Sequence, residues 1–144
     1  MGYLRERATS LRHDRRTRAA EPPAPAVPDA EPIDRAHLSR YTLGSPVLER
    51  EILGLFLAQL PLSIEQLRFA ATDREWQIAA HTIKGSARAV GAWQIANLAR
   101  EAEQAPGLAD EDERERILAT LENACEAVES YVEEAFPPAE QAHA

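Results

Sequence analysis

Residues 79–92 read AAHTIKGSARAVGA. On a helical wheel of about 100° per residue with His81 at zero, Ala79, Ala80, Ile83, Ala87 and Val90 fall between about 160° and 260°. Trp76 joins them near about 220° on the same wheel. One apolar stripe of that width has to face a core. His81 stands almost opposite. Arg74, Gln77, Lys84, Gly85 and Arg88 lie within about 60° of it on either side. The stretch therefore predicts a helix that buries one face and offers an imidazole, flanked by cations, on the other.

The same texture continues in both directions. Thr72 or Asp73 caps this helix, which runs from Arg74 to about Val90, and Gly91 breaks it. Upstream, Ser45-Pro46 is the N-cap and first-turn signature of a long helix. Its apolar residues Leu48, Ile52, Leu55, Phe56, Leu60, Ile64 and Leu67 are spaced by threes and fours. Pro61 lies inside that pattern and is expected to bend the helix or split it, because it lacks an N–H. Before it, Asp34 caps a short helix, with Gly44 suited to its C-terminal turn. Downstream, a helix from Ala92 to about Ala105 carries Ile95, Leu98, Ala99 and Ala102 on one face, and Pro106-Gly107 ends it. Asp110 with Glu113 resembles a capping box for a last helix, which carries Ile117, Leu118, Leu121, Ala124, Cys125, Val128 and Val132. No segment alternates as a strand does. The expected fold class is all-α, an antiparallel four-helix bundle with a short additional N-terminal helix, preceded by a flexible arm.

Composition bounds the function. The chain has 144 residues and a net charge of −8. Residues 1–29 hold six arginines against four acids, and the remainder is net −10. Residues 21–32, EPPAPAVPDAEP, contain five of the ten prolines. This divides the chain into a mobile basic arm and Pro-rich linker (1–32), a bundle domain (33–136) and a C-terminal tail (137–144). The arm reads as a solvated tail or as a docking segment for an acidic partner. An acidic body disfavours nucleic acid and anionic membrane as partners. The single cysteine, Cys125, excludes an intrachain disulfide and a Cys-based zinc site. No apolar run reaches the 18 or so residues a membrane span needs. The Arg-rich start has no apolar stretch behind it, so no secretory signal is expected and the cytoplasm is the expected compartment.

The face around His81 suits an anion. A neutral imidazole nitrogen is a nucleophile near neutral pH. Lys84, the only lysine, lies at i+3 and can reach a group held on His81. Gly85 lies at i+4, where a side chain would crowd the ring; glycine there costs about 1 kcal/mol relative to alanine. Arg88 at i+7 adds a second cation. By themselves, an exposed histidine and a mid-helix glycine are also ordinary features of a helical surface and of a helix contact.

H-T-I-K-G-S-A, residues 81–87, resembles the signature of histidine-containing phosphotransfer (HPt) domains, in which His-x-x-Lys-Gly-Ser marks the phosphorylated helix. The resemblance covers the helix order from Asp34 to about Phe136. It implies His81 as phosphoryl acceptor, Lys84 as electrostatic partner and Gly85 as the residue that keeps the ring accessible. Glu103, on the next helix, matches a position that orients the imidazole. Arg88 is a secondary cation outside the motif. Gln77, Ile78, Ser86 and Ala89 are the candidate partner-binding residues; Ile78 and Ala89 read equally well as bundle-edge contacts.

The resemblance further implies a phosphorelay intermediate. It would accept a phosphoryl group from the aspartate of a response-regulator receiver domain, or from a hybrid sensor kinase, and pass it to another receiver. The magnesium ion belongs to the receiver, so no intrinsic cofactor and no metal site are expected. Without a Gly-rich nucleotide-binding sequence, autonomous catalysis with ATP is not expected, and a free-standing monomer is the default. Three rivals stand beside this reading. One is an HPt-like module that binds receivers or kinases without transferring phosphate. A metal-binding bundle is weakened by the wide separation of His13, His37, His81 and His143. A nucleic-acid binder acting through the arm is opposed by the acidic body.

Overall fold

The computed structural model describes residues 31–105 and 110–138. Most of the basic arm and linker, the Pro106-Gly107 terminator and the tail past 138 lie outside the described residues. Among the described residues there are five helices and no strand. They are α1 (Arg35–Thr42), α2 (Pro46–Arg68), α3 (Asp73–Val90), α4 (Trp93–Gln104) and α5 (Glu111–Ala135).

Four starts are fixed by side-chain caps. Asp34, Ser45, Thr72 and Asp110 each accept a hydrogen bond from the main-chain N–H three residues on, at 3.1, 3.2, 3.0 and 3.0 Å. Each cap contributes about 1 kcal/mol. α4 starts at Ala92 with no side-chain cap. One expectation needs correction at a helix end, and at Pro61 one of the two expected outcomes does not occur. The left-handed turn after α1 begins at Leu43 (φ 54°), one residue before the expected Gly44 (φ 80°). Pro61 does not split α2, which runs unbroken through it. Pro61 lies on the exposed side, where the carbonyl it leaves without a helical donor can meet water.

α3 packs between α2 and α4, α5 packs on both α2 and α4, and α1 rests on α2 and α3. Trp76, Ala79, Ala80, Ile83, Ala87 and Val90 are all buried, as the wheel requires. α4 and α5 bury the faces expected of them, except that Leu98 of α4 and Val132 at the end of α5 are half-buried. In α2 the expectation is only partly met. Leu53, Phe56, Leu60, Ile64 and Leu67 face the core, whereas Leu48 and Leu55 are exposed. α2 has two apolar stripes, and spacing alone does not say which one meets the other helices.

Polar groups lock α1 in place. The buried Glu49 carboxylate accepts from Thr42 Oγ1 at 2.7 Å and from Ser39 Oγ at 3.3 Å. The Asp34 N–H donates to Gly91 O at 2.9 Å, and Trp93 Nε1 donates to Asp34 Oδ2 at 2.8 Å. The Trp93 bond leads the interactions that hold the Asp34 carboxyl below its ordinary range. Gly91 sits at φ 82°, and a Cβ there would lie 3.0 Å from Asp34 O. Glycine therefore ends α3 and admits α1 at the same point.

Candidate functional site

His81 sits mid-way along α3 with its side chain 68% exposed. Its Nδ1 lies 2.8 Å from Oε2 of Glu103, near the end of α4. The other carboxylate oxygen, Oε1, lies 2.8 Å from Nζ of Lys84. One carboxylate thus ties together an exposed ring and an ammonium that is itself buried. The wheel set Lys84 on the solvent face. The structure corrects that, because α4 packs along this flank of α3 and brings Glu103 to meet the charge. A buried ammonium needs such a partner. Burial raises the Glu103 carboxyl. The hydrogen bonds from Lys84 and then His81 outweigh it and hold the group below its ordinary value of 4.5.

An ionised Glu103 only accepts hydrogen bonds, so it selects the tautomer in which Nδ1 carries the proton. In the neutral ring the lone pair is then on Nε2. The ring opens onto a shallow pocket of about 260 Å³ lined by Arg74, Gln77, Ile78, His81, Thr82 and Glu103. Arg74 and Thr82 are site-lining residues missing from the expected set. For Arg74 the signal was its wheel position close to His81.

The remaining expected residues spread out. Gly85 is exposed, and a Cβ built on it meets no atom within 4 Å. A first side-chain carbon there does not crowd the ring, so the expected clash is absent within this chain. Arg88 places its guanidinium 5.8 Å over the Trp93 ring, toward α1. Gln77, Ile78 and Ala89 are exposed on the His81 side. Ser86 is half-buried and lies instead along a groove between α2 and α3.

The position of Glu103 depends on a residue read only as core. Trp76 Nε1 donates to Ala102 O at 2.8 Å, wholly buried. That carbonyl is in the last turn of α4, where it also accepts from the Ala105 N–H at 3.2 Å. The indole bond clamps the end of α4 to α3 one residue before Glu103. The sequence signal was a tryptophan in a core stripe, since a buried indole N–H requires an acceptor.

A family model, the Hpt domain, matches residues 51–131, more than half of the chain. The chain belongs to the Hpt domain family. No curated protein matches the chain, and no solved structure matches it. The matched span takes in α3 and α4 whole, and with them His81, Lys84, Gly85 and Glu103. Hpt domains are carriers in histidine phosphotransfer within two-component phosphorelays, and they interact with receiver domains and kinases. No helix among the described residues is long and apolar enough to cross a membrane. Among the same residues no group of three or more His, Cys, Asp or Glu is placed to hold a metal ion.

Proposed function

We propose that this Hpt domain accepts a phosphoryl group on Nε2 of His81 from a receiver-domain aspartate and passes it to a second receiver. The observation that carries the reading is the contact between His81 Nδ1 and the Glu103 carboxylate on an otherwise exposed ring. With Nδ1 protonated, the Nε2 lone pair attacks phosphorus, the N–P bond forms, and the P–O bond to the aspartate breaks. The aspartate leaves as a carboxylate. The ring becomes a cation that keeps its Nδ1 proton, and Glu103 faces that charge. No proton has to leave the site. Return transfer reverses the steps and releases a neutral imidazole.

Lys84 holds Glu103 in place and supplies positive charge on the same flank as the phosphoryl group. Gly85 leaves open space for the partner's approach, and Gln77, Ile78 and Ala89 form the docking rim. Ser86 contributes only where a partner reaches round to the α2 side. Arg88 is a distant contributor, given its place over Trp93. The magnesium ion is the receiver's, and this chain contributes no cofactor. The partners are response-regulator receivers and a hybrid sensor kinase. Four long helices, each packed on two others, support an antiparallel four-helix bundle with α1 as the added N-terminal helix. Such a bundle closes its own core, which supports a monomer, and a reducing cytoplasmic setting fits the lone thiol. The test is transfer from phosphorylated receivers to the chain and to His81→Gln. Acid-labile, base-stable label on the first and none on the second is the expected result.

A further inference from the structure

We propose that Arg74, in the first turn of α3, binds the phosphoryl group carried on His81, a role that rests on the phosphotransfer reading above. The cations assigned to that face from the sequence are engaged elsewhere. The Lys84 ammonium is buried and lies 2.8 Å from the Glu103 carboxylate. The two charges offset each other, so the pair presents little net positive field to an anion outside it. The Arg88 guanidinium stands over the Trp93 ring at 5.8 Å. Arg100 of α4 is half-buried and does not line the pocket beside His81. Arg74 is exposed and is the one Lys or Arg that does line it.

Helix geometry brings the two side chains to one place. Arg74 and His81 are seven residues apart, so they return to the same face of α3 within about 20°. The rise between them is about 10.5 Å. Helical side chains lean toward the N-terminus, so His81 leans over the turn that holds Gln77 and toward Arg74. A phosphoryl group extends from the ring, and the long arginine side chain spans what remains. Its planar fork matches two phosphoryl oxygens.

Nothing in the fold claims this guanidinium. Its side chain forms no ion pair or hydrogen bond among the described residues. The neighbouring Glu75 carboxylate is turned to the helix start, where it accepts from the Ala71 N–H at 2.7 Å. The first turn of a helix favours carboxylates such as Asp73 and Glu75 and disfavours a cation. Arg74 therefore gives α3 no stability, and its removal separates function from folding.

Phosphoramidate tests this, because it is a phosphoryl donor too small to use a docking surface. Nε2 of His81 takes the phosphoryl group, and ammonia leaves with the electron pair of the P–N bond. Full-length Arg74→Gln and Arg74→Lys are compared with the wild type. Labelling of Arg74→Gln should be slower by about fivefold, the loss of one exposed charge-assisted hydrogen bond. The second ionisation of the phosphoryl group, followed by phosphorus NMR against pH, should move up by about half a unit without the cation. Arg74→Lys should restore most of both, and the melting temperature of Arg74→Gln should not fall. A residue that only supported the fold would leave the phosphorus titration where it is. Wild-type labelling and an unmoved titration in Arg74→Gln overturn the proposal; slower transfer from a receiver alone would then make Arg74 a docking residue. No label on wild-type His81 from phosphoramidate or from a receiver overturns the phosphotransfer reading itself, and this inference with it.

Discussion

The indole N–H of Trp76 and the carbonyl oxygen of Ala102 meet at 2.8 Å inside the bundle, joining α3 to the last turn of α4. The next residue along α4 is Glu103, whose carboxylate holds both His81 and Lys84. A buried core contact therefore sets the geometry of a surface ring.

Trp76→Phe keeps most of the apolar volume and removes the donor. The Ala102 carbonyl keeps its bond from the Ala105 N–H at 3.2 Å, so loss of the indole bond should cost about 1 kcal/mol of stability. Phosphotransfer to His81 should slow several-fold, because Glu103 is less well placed. Urea unfolding and single-turnover transfer measure the two effects. Lost stability with unchanged transfer means Trp76 does not position Glu103.

Glu103→Gln removes the carboxylate between the ring and the ammonium. At neutral pH the variant should lose about 1–3 kcal/mol, since the buried Lys84 ammonium exchanges a carboxylate neighbour for a neutral amide. The wild-type carboxyl lies below its ordinary value of 4.5 in the folded chain. Its contribution is therefore complete above that value and is lost as pH falls through the lower folded value. Urea midpoints across the acid range should converge for the two proteins as pH drops. A gap that persists in acid contradicts the linkage.

Gly85→Ala separates access from folding. A Cβ at this position meets nothing within 4 Å, and alanine favours a helix by about 1 kcal/mol. Melting temperature should rise while transfer from a receiver falls. Unchanged transfer would show that partners do not need this space.

Gly91→Ala should destabilise by about 1–3 kcal/mol, because φ is 82° and the new Cβ would lie 3.0 Å from Asp34 O. Fluorescence of Trp93, whose indole is bonded to Asp34, should report the loosening of α1. Wild-type stability in this variant removes the account of how α1 docks.

Much of this was legible along the chain. The buried stripe of α3 follows from periodicity because one face is apolar and the other charged. Asp34, Ser45, Thr72 and Asp110 announce helix starts through local chemistry. What was not legible depends on neighbours distant in sequence. Leu53 faces the core and Leu55 faces solvent because α3 and α5 lie on one side of a helix that is apolar on two. Lys84 is buried because α4 covers it and Glu103 neutralises it, which the wheel of α3 alone does not contain. The role of Trp76 required a carbonyl from another helix.

The central claim is that Glu103 fixes the Nδ1–H tautomer, so that Nε2 of His81 receives the phosphoryl group. Its most direct test is nitrogen NMR of the imidazole-labelled chain after phosphorylation by an aspartyl-phosphate receiver. The account predicts phosphorus coupled to Nε2 of His81 and a proton retained on Nδ1. Phosphorus on Nδ1, or a phosphorylated chain whose His81 ring is unmodified, would contradict it.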